Sequence, residues 1–168
     1  GVGRRWVRRI TELAVGPAPP GTRAVLGGDE VLSVRRVNLA DGEPFARVTV
    51  WCPEHLGRDL SRSQVEQTSF YDLLPVRFGG ATQTIGADAA GPIDAELLGV
   101  PVGSPVLVCR RVTADIAGTP VLIGDYVFPA HRTEFTVELA TTEPSIAPGG
   151  LRLLEQAPQD QRGASASR

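Results

Sequence analysis

From Asp29 to Leu39 the chain reads DEVLSVRRVNL, alternating and rich in β-branched residues. ADGE follows, and then PFARVTVWC returns with the same period. A period of two on both sides of a turn in which Gly42 can take positive φ predicts a β-hairpin. The second half repeats the arrangement as PVLVCRRVTAD, the turn IAGT and PVLIGDYVF, with EFTVEL as a further strand. Between the hairpins, PEHLGRDLSRSQVEQ predicts a loop with helical pieces. TSFYDLLPVRFG holds a short helix capped by Thr68 or Ser69, Thr82 to Ala87 is a strand, and PIDAELLG is a helix closed by Gly99. After Leu139 the chain has few large apolar residues and reads as linker, apart from LRLLEQ as a short packed helix.

The hairpins belong to a longer internal repeat. Pro20 aligns with Pro92, Gly27 with Gly99, Arg36 with Arg111, Pro44 with Pro120 and His55 with His131, the offset rising from 72 to 76 through small insertions in loops. Each copy runs strand, helix, strand, turn, strand. Two such pseudo-symmetric β-helix-ββ halves, with hairpins too tight for parallel crossovers, predict an α+β fold: one mostly antiparallel sheet with helices on one face.

Alternation also sorts the hairpin side chains. Leu32, Val34, Arg36 and Asn38 share a side of their strand, and Ala46, Val48, Val50 and Cys52 form the apolar side of the return strand. A two-residue turn would set Arg36 opposite Arg47, like charge against like charge. A three-residue turn with Gly42 in a bulge instead puts Arg36 and Asn38 on the apolar side, and this register is expected. In the second copy Leu107, Cys109 and Arg111 face the side of Leu122, Gly124, Tyr126 and Phe128. A guanidinium on an apolar face requires a partner. Asp29, Glu30 or Asp125 can supply one internally; a phosphate, phosphonate or carboxylate ligand is the alternative, because the arginine fork suits those groups.

Composition narrows the classes. The chain has 168 residues, 42% hydrophobic and 21% charged, with a net charge of −2, which suits one domain with its own core. That charge argues against wholesale nucleic-acid or membrane binding, which needs a basic excess. Arg4, Arg5, Arg8 and Arg9 around Trp6 are a local exception, read either as a solvated terminus or as the edge of a nucleic-acid-binding module. Cys52 and Cys109 lack metal-type spacing and are expected as free thiols in a reducing compartment. No apolar run is long enough to cross a membrane, so the expected location is cytoplasmic. The chain lacks methionine and starts at Gly1, from which a longer parent protein is expected.

Three ordered motifs, R-x-x-x-x-D-G-x-P in the first hairpin, S-x-Y-x-L-L at Ser69 and L-G-V-x-x-G-x-P-V-L-x-x-x-R from Leu98, resemble the UTRA effector-binding domain of the HutC branch of GntR-type bacterial regulators. The resemblance covers most of residues 10 to 140. It implies a chorismate-lyase-like fold, a homodimer, and a small-molecule pocket controlling an N-terminal winged helix-turn-helix that binds operator DNA and is largely absent from this chain. GVGRRWV then resembles the end of that DNA-binding domain. The expected division is residues 1–10 as its remnant and linker, 11–140 as effector domain and 141–168 as tail.

Carried over position by position, the family's paired hairpin arginines fall on Arg36 and Asn38, so one charge is lost, and a return-strand glutamate falls on Val48. The serine and tyrosine of the helix start fall on Ser69 and Tyr71; Ser69 also heads exposed helix N–H groups, a potential anion site. The late acidic position falls near Asp125, and the usual Asp-Arg after the last hairpin appears as His131 and Arg132. With Arg111 and Tyr126 these complete the candidate ligand set: Arg36, Asn38, Ser69, Tyr71, Arg111, Asp125, Tyr126 and His131. No metal or cofactor is expected. The leading expectation is a ligand-sensing and dimerisation domain of a repressor that binds a small anionic metabolite. The alternatives are a chorismate-lyase-like enzyme, for which no catalytic spacing stands out, and a ligand-free dimerisation module.

Overall fold

A computed structural model describes residues 5–139, 152 and 154. Six strands form one antiparallel sheet: β1 (Trp6–Pro17), β2 (Glu30–Ala40), β3 (Glu43–Pro53), β4 (Phe78–Ala89), β5 (Pro105–Asp115) and β6 (Pro120–Pro129). Their spatial order is β1-β2-β3-β6-β5-β4. Five short helices connect them: α1 (Pro20–Leu26), α2 (Glu54–Gly57), α3 (Arg62–Gln67), α4 (Phe70–Leu73) and α5 (Pro92–Leu98), and a 3₁₀ turn spans Ala130–Arg132.

The repeat is the architecture. β1-α1-β2-β3 and β4-α5-β5-β6 are the two halves, joined where β3 pairs with β6. Thr49 stands opposite Asp125, and the offset between them is the one separating Pro44 from Pro120, so a pseudo-twofold axis passes through this pair. The matched residues do matched work. Pro20 and Pro92 begin their helices, where a missing N–H is harmless, and Gly27 and Gly99 end them at φ 73° and 66°.

Both hairpins place their arginines as alternation predicts, by a different device. The first turn is a two-residue Asp41-Gly42 loop with φ of 51° and 82°, not the expected three-residue one, and the extra residue is Phe45 on β3, where the register jumps from Leu39↔Pro44 to Asn38↔Ala46. Arg36 therefore faces Val48 rather than Arg47. The second hairpin has its irregularity at the equivalent place, Ala114 pairing with Pro120 and Thr113 with Leu122.

The helices divide between the faces. α1 and α5, the helices of the repeat, lie on one face: Asp94 of α5 accepts from Arg47 Nε at 2.7 Å, and Gly21 of α1 lies beside Arg110. The other three, inserted between the halves, cover the opposite face, so the expectation of a single helical face holds for the repeat alone. There Val65, Phe70 and Leu74 pack on Ile10, Leu32, Val34, Val48 and Val50 as the main core. α2 approaches so closely that a Cβ on Gly57 would meet Cys52 Sγ and Leu32 Cδ2 at 2.7 Å.

Three other expectations change. Trp6–Ile10, assigned to a preceding domain, are the first half of β1: Ile10 is buried, and Trp6 packs edge-on against Phe45 at 4.5 Å. Glu134 to Leu139 form no strand, because alternation names a face but supplies no pairing partner. The helix expected at LRLLEQ falls outside the described residues except for Arg152 and Leu154, as does most of the segment 141–168.

Candidate functional site

The face covered by α2, α3 and α4 carries Leu32, Val34, Arg36 and Asn38 of β2 and Cys109, Arg111 and Thr113 of β5. Arg36 and Arg111 are related by the pseudo-twofold and separated by β3 and β6, three strand spacings or about 14 Å between backbones. Both side chains nevertheless line one cavity. Between them the floor is Val50, Leu122 and Gly124, and α4 supplies Ser69, Phe70 and Tyr71 on the far wall. The cavity is partly open to solvent and has a volume of about 50 Å³, which admits only a small group.

Each arginine is held by an amide oxygen. Arg36 Nε donates to Asn38 Oδ1 at 3.1 Å, two residues along the same face. Arg111 Nε and Nη2 both donate to Gln83 Oε1, at 3.0 and 2.7 Å, from the neighbouring strand β4. Arg8 of β1, opposite Asn38, enters the same cavity. Among the described residues, Arg8, Arg36 and Arg111 form no ion pair with a carboxylate.

The electrostatics follow from this arrangement. Burial lowers the pKa of Arg36, Tyr126 pulls it back up, and the like charge of Arg8 lowers it further. Arg111 is raised, chiefly by a hydrogen bond with Tyr71, against desolvation. Burial raises the Tyr126 phenol, while Arg36 and Arg111 draw it down. The Tyr71 hydroxyl is also hydrogen-bonded to Thr113 Oγ1 at 2.8 Å, and its ring rests on Phe78 with centroids 4.8 Å apart. Gly124 leaves the space that the Tyr126 ring fills, since a Cβ there would lie 2.8 Å from Tyr126 Cε2.

Of the eight candidates, Arg36, Ser69, Tyr71, Arg111 and Tyr126 line the cavity, and Asn38 supports it through Arg36. Asp125 is corrected: it points to the opposite face, where its carboxylate takes Arg110 Nε and Nη2, both at 2.8 Å. His131 is exposed on the 3₁₀ turn after β6 and is not among the cavity residues. The helix-start argument for Ser69 also fails, because α4 is a single turn and Ser69 Oγ already accepts from Tyr71 N at 3.2 Å. Of the expected internal partners, Asp29 is engaged with Arg23 at 2.5 Å and Asp125 with Arg110, while Glu30 lines a different groove. Arg8 and Gln83 were missed. Strand alternation carried the signal for Arg8 once β1 has its full length, whereas Gln83 lay within the expected strand and only its pairing with Arg111 was unread.

A larger groove of about 600 Å³ lies elsewhere, lined by Asp29, Glu30, Glu54, His55 and Asp115, and its acidic wall does not suit an anion. Among the described residues no three His, Cys, Asp or Glu side chains gather as a metal site, and no helix is long and apolar enough to cross a membrane.

Residues 2–134 match the signature of the UTRA domain. This chain belongs to the UTRA domain family. It is 34% identical over 141 residues to the HTH-type transcriptional regulator Rv0792c of Mycobacterium tuberculosis, covering 80% of this chain and 52% of that protein, about half its length. Among solved structures it resembles one named for a transcriptional regulator of Streptomyces coelicolor (TM-score 0.73, 34% identity, 79% of this chain and 91% of that one). It also resembles the ligand-binding domain of a GntR-family regulator from Bordetella bronchiseptica (TM-score 0.75, 25% identity, 83% and 91%). These UTRA relatives are regulators rather than enzymes, and the antiparallel sheet of this chain is the fold they share.

Proposed function

We propose that this UTRA domain senses a small anionic metabolite, a sugar phosphate, phosphonate or carboxylate, as part of a cytoplasmic homodimeric repressor. A helix-turn-helix domain like that named in the mycobacterial relative would bind the operator, and effector occupancy would change that affinity through linkage. One observation carries the reading: Arg8, Arg36 and Arg111 line a single cavity without a carboxylate among the described residues to neutralise them. Confined positive charge is costly, and an anion relieves the cost. A purely structural role would favour internal neutralisation, of the kind Arg47 and Arg110 receive on the other face.

Thermal denaturation with sulfate, phosphate, phosphonates and carboxylates against chloride at matched ionic strength tests the sensor. A binding anion at about a hundred times its Kd adds about 2.7 kcal/mol. Arg111→Ala should abolish the shift, and no shift for any anion rejects the reading. For regulation, the full-length protein should change operator affinity when the stabilising anion is added; unchanged affinity rejects the switch.

A further inference from the structure

We propose that Gln83, with Asn38, is a specificity-determining positioning residue that aligns the cavity arginines without discharging them, tuning the site to a head group carrying two negative charges. The inference rests on the anion-sensing reading and refines it. Arg111 turns its Nε and Nη2 edge to one oxygen of Gln83, and Arg36 turns its Nε to one oxygen of Asn38. Each guanidinium is thus oriented by a neutral dipole in a place where a carboxylate would fit.

The contrast with the rest of the protein gives the pattern its meaning. On the opposite face Arg47 and Arg110 each meet a carboxylate with Nε and Nη2, Asp94 at 2.7 and 3.0 Å and Asp125 at 2.8 Å for both contacts. Arg47 and Arg110 are thus neutralised on the face of α1 and α5, whereas Arg36 and Arg111 at the cavity are held by amides. An amide fixes the fork and leaves the full positive charge for a guest. With Arg8 as a third cation in the same cavity, the charge deficit exceeds what a monocarboxylate supplies.

Replacing each amide by its isosteric acid tests this, because geometry stays and charge changes. Calorimetric titration of the whole chain with sulfate and with acetate, at constant ionic strength, reads the site. The wild type should bind sulfate at least tenfold more tightly than acetate. Gln83→Glu should lower sulfate affinity about tenfold or more while leaving the melting temperature in chloride equal or higher, since the new carboxylate pairs with Arg111. Asn38→Asp should act in the same direction through Arg36. Gln83→Leu, which removes the clamp without adding charge, should lower sulfate affinity less than Gln83→Glu does.

If the wild type binds neither anion, the sensing reading itself falls. If it binds sulfate and both acidic variants bind it as well as the wild type, or if Gln83→Leu loses as much as Gln83→Glu, the amide-clamp inference falls and the sensing reading survives. A wild type that prefers acetate overturns the assignment of a doubly charged guest.

Discussion

Arg36 shows the conflict between stability and function that a charged cavity creates. Its charge is lowered in pKa by burial, so the folded state binds that proton less tightly than the unfolded chain. The cation therefore costs stability at every pH below its folded pKa, and relief comes only at strongly alkaline pH. Arg36→Met should stabilise the ligand-free domain by about 1 kcal/mol in urea denaturation, evenly from about pH 6 to 9, and abolish the response to anions. Cys52 behaves oppositely. Burial pushes its thiol up to about 12, so the folded state keeps a proton that the unfolded chain releases above its ordinary value. Its contribution is present at neutral pH and is lost as the pH rises from about 9 toward 12. Cys52→Ala should lower neutral stability yet flatten that alkaline loss, by about 1 kcal/mol per pH unit, in pH-resolved denaturation. Alternation made the side-chain directions of Arg36, Arg111 and Tyr126 legible in the sequence. It spoke against Asp125 as well, since its neighbours Gly124 and Tyr126 occupy the cavity side, and only the family correspondence drew Asp125 into the ligand set.

At the scale of elements, caps and hairpins were the readable parts, because each is fixed by chemistry within a few residues. Pro20, Gly27, Pro92, Gly99 and Ser69 all sit where their backbone preferences put them. The bulge at Phe45 was not readable, since a tight loop plus a bulge and a longer loop satisfy the same charge argument and differ only in which residue is extra. The first half of β1 was hidden for another reason. Its exposed arginines resembled a basic terminus, and with Ile10 as the one buried residue of the strand there is little apolar alternation to read. The docking of α2 was equally silent, because a glycine chosen for close approach looks like any loop glycine. Gly57→Ala should cost about 2 kcal/mol in chemical denaturation, as its methyl meets Cys52 and Leu32.

For the whole molecule, duplication explains why the site lies at the centre of the sheet. A residue near the pseudo-twofold is automatically met by its copy from the other half, so one arginine per repeat yields a pair aimed at a common space. The same symmetry orders local stability. β4 is exposed along nearly its whole length and β1 is the other edge, while β3 and β6 are buried between neighbours. Hydrogen exchange should therefore be fastest in the amides of β1 and β4 that lack a partner and slowest in β3 and β6, measured by mass spectrometry on proteolytic fragments. The seam between the halves pairs only Arg47–Trp51 with Ile123–Val127, a shorter ladder than either hairpin has within its own half. A guest gripped by Arg36 on one side and Arg111 on the other would act as a rivet through that joint. Pulled apart from its ends, such a chain would part first along the seam, and its rupture force would register whether the rivet is in place.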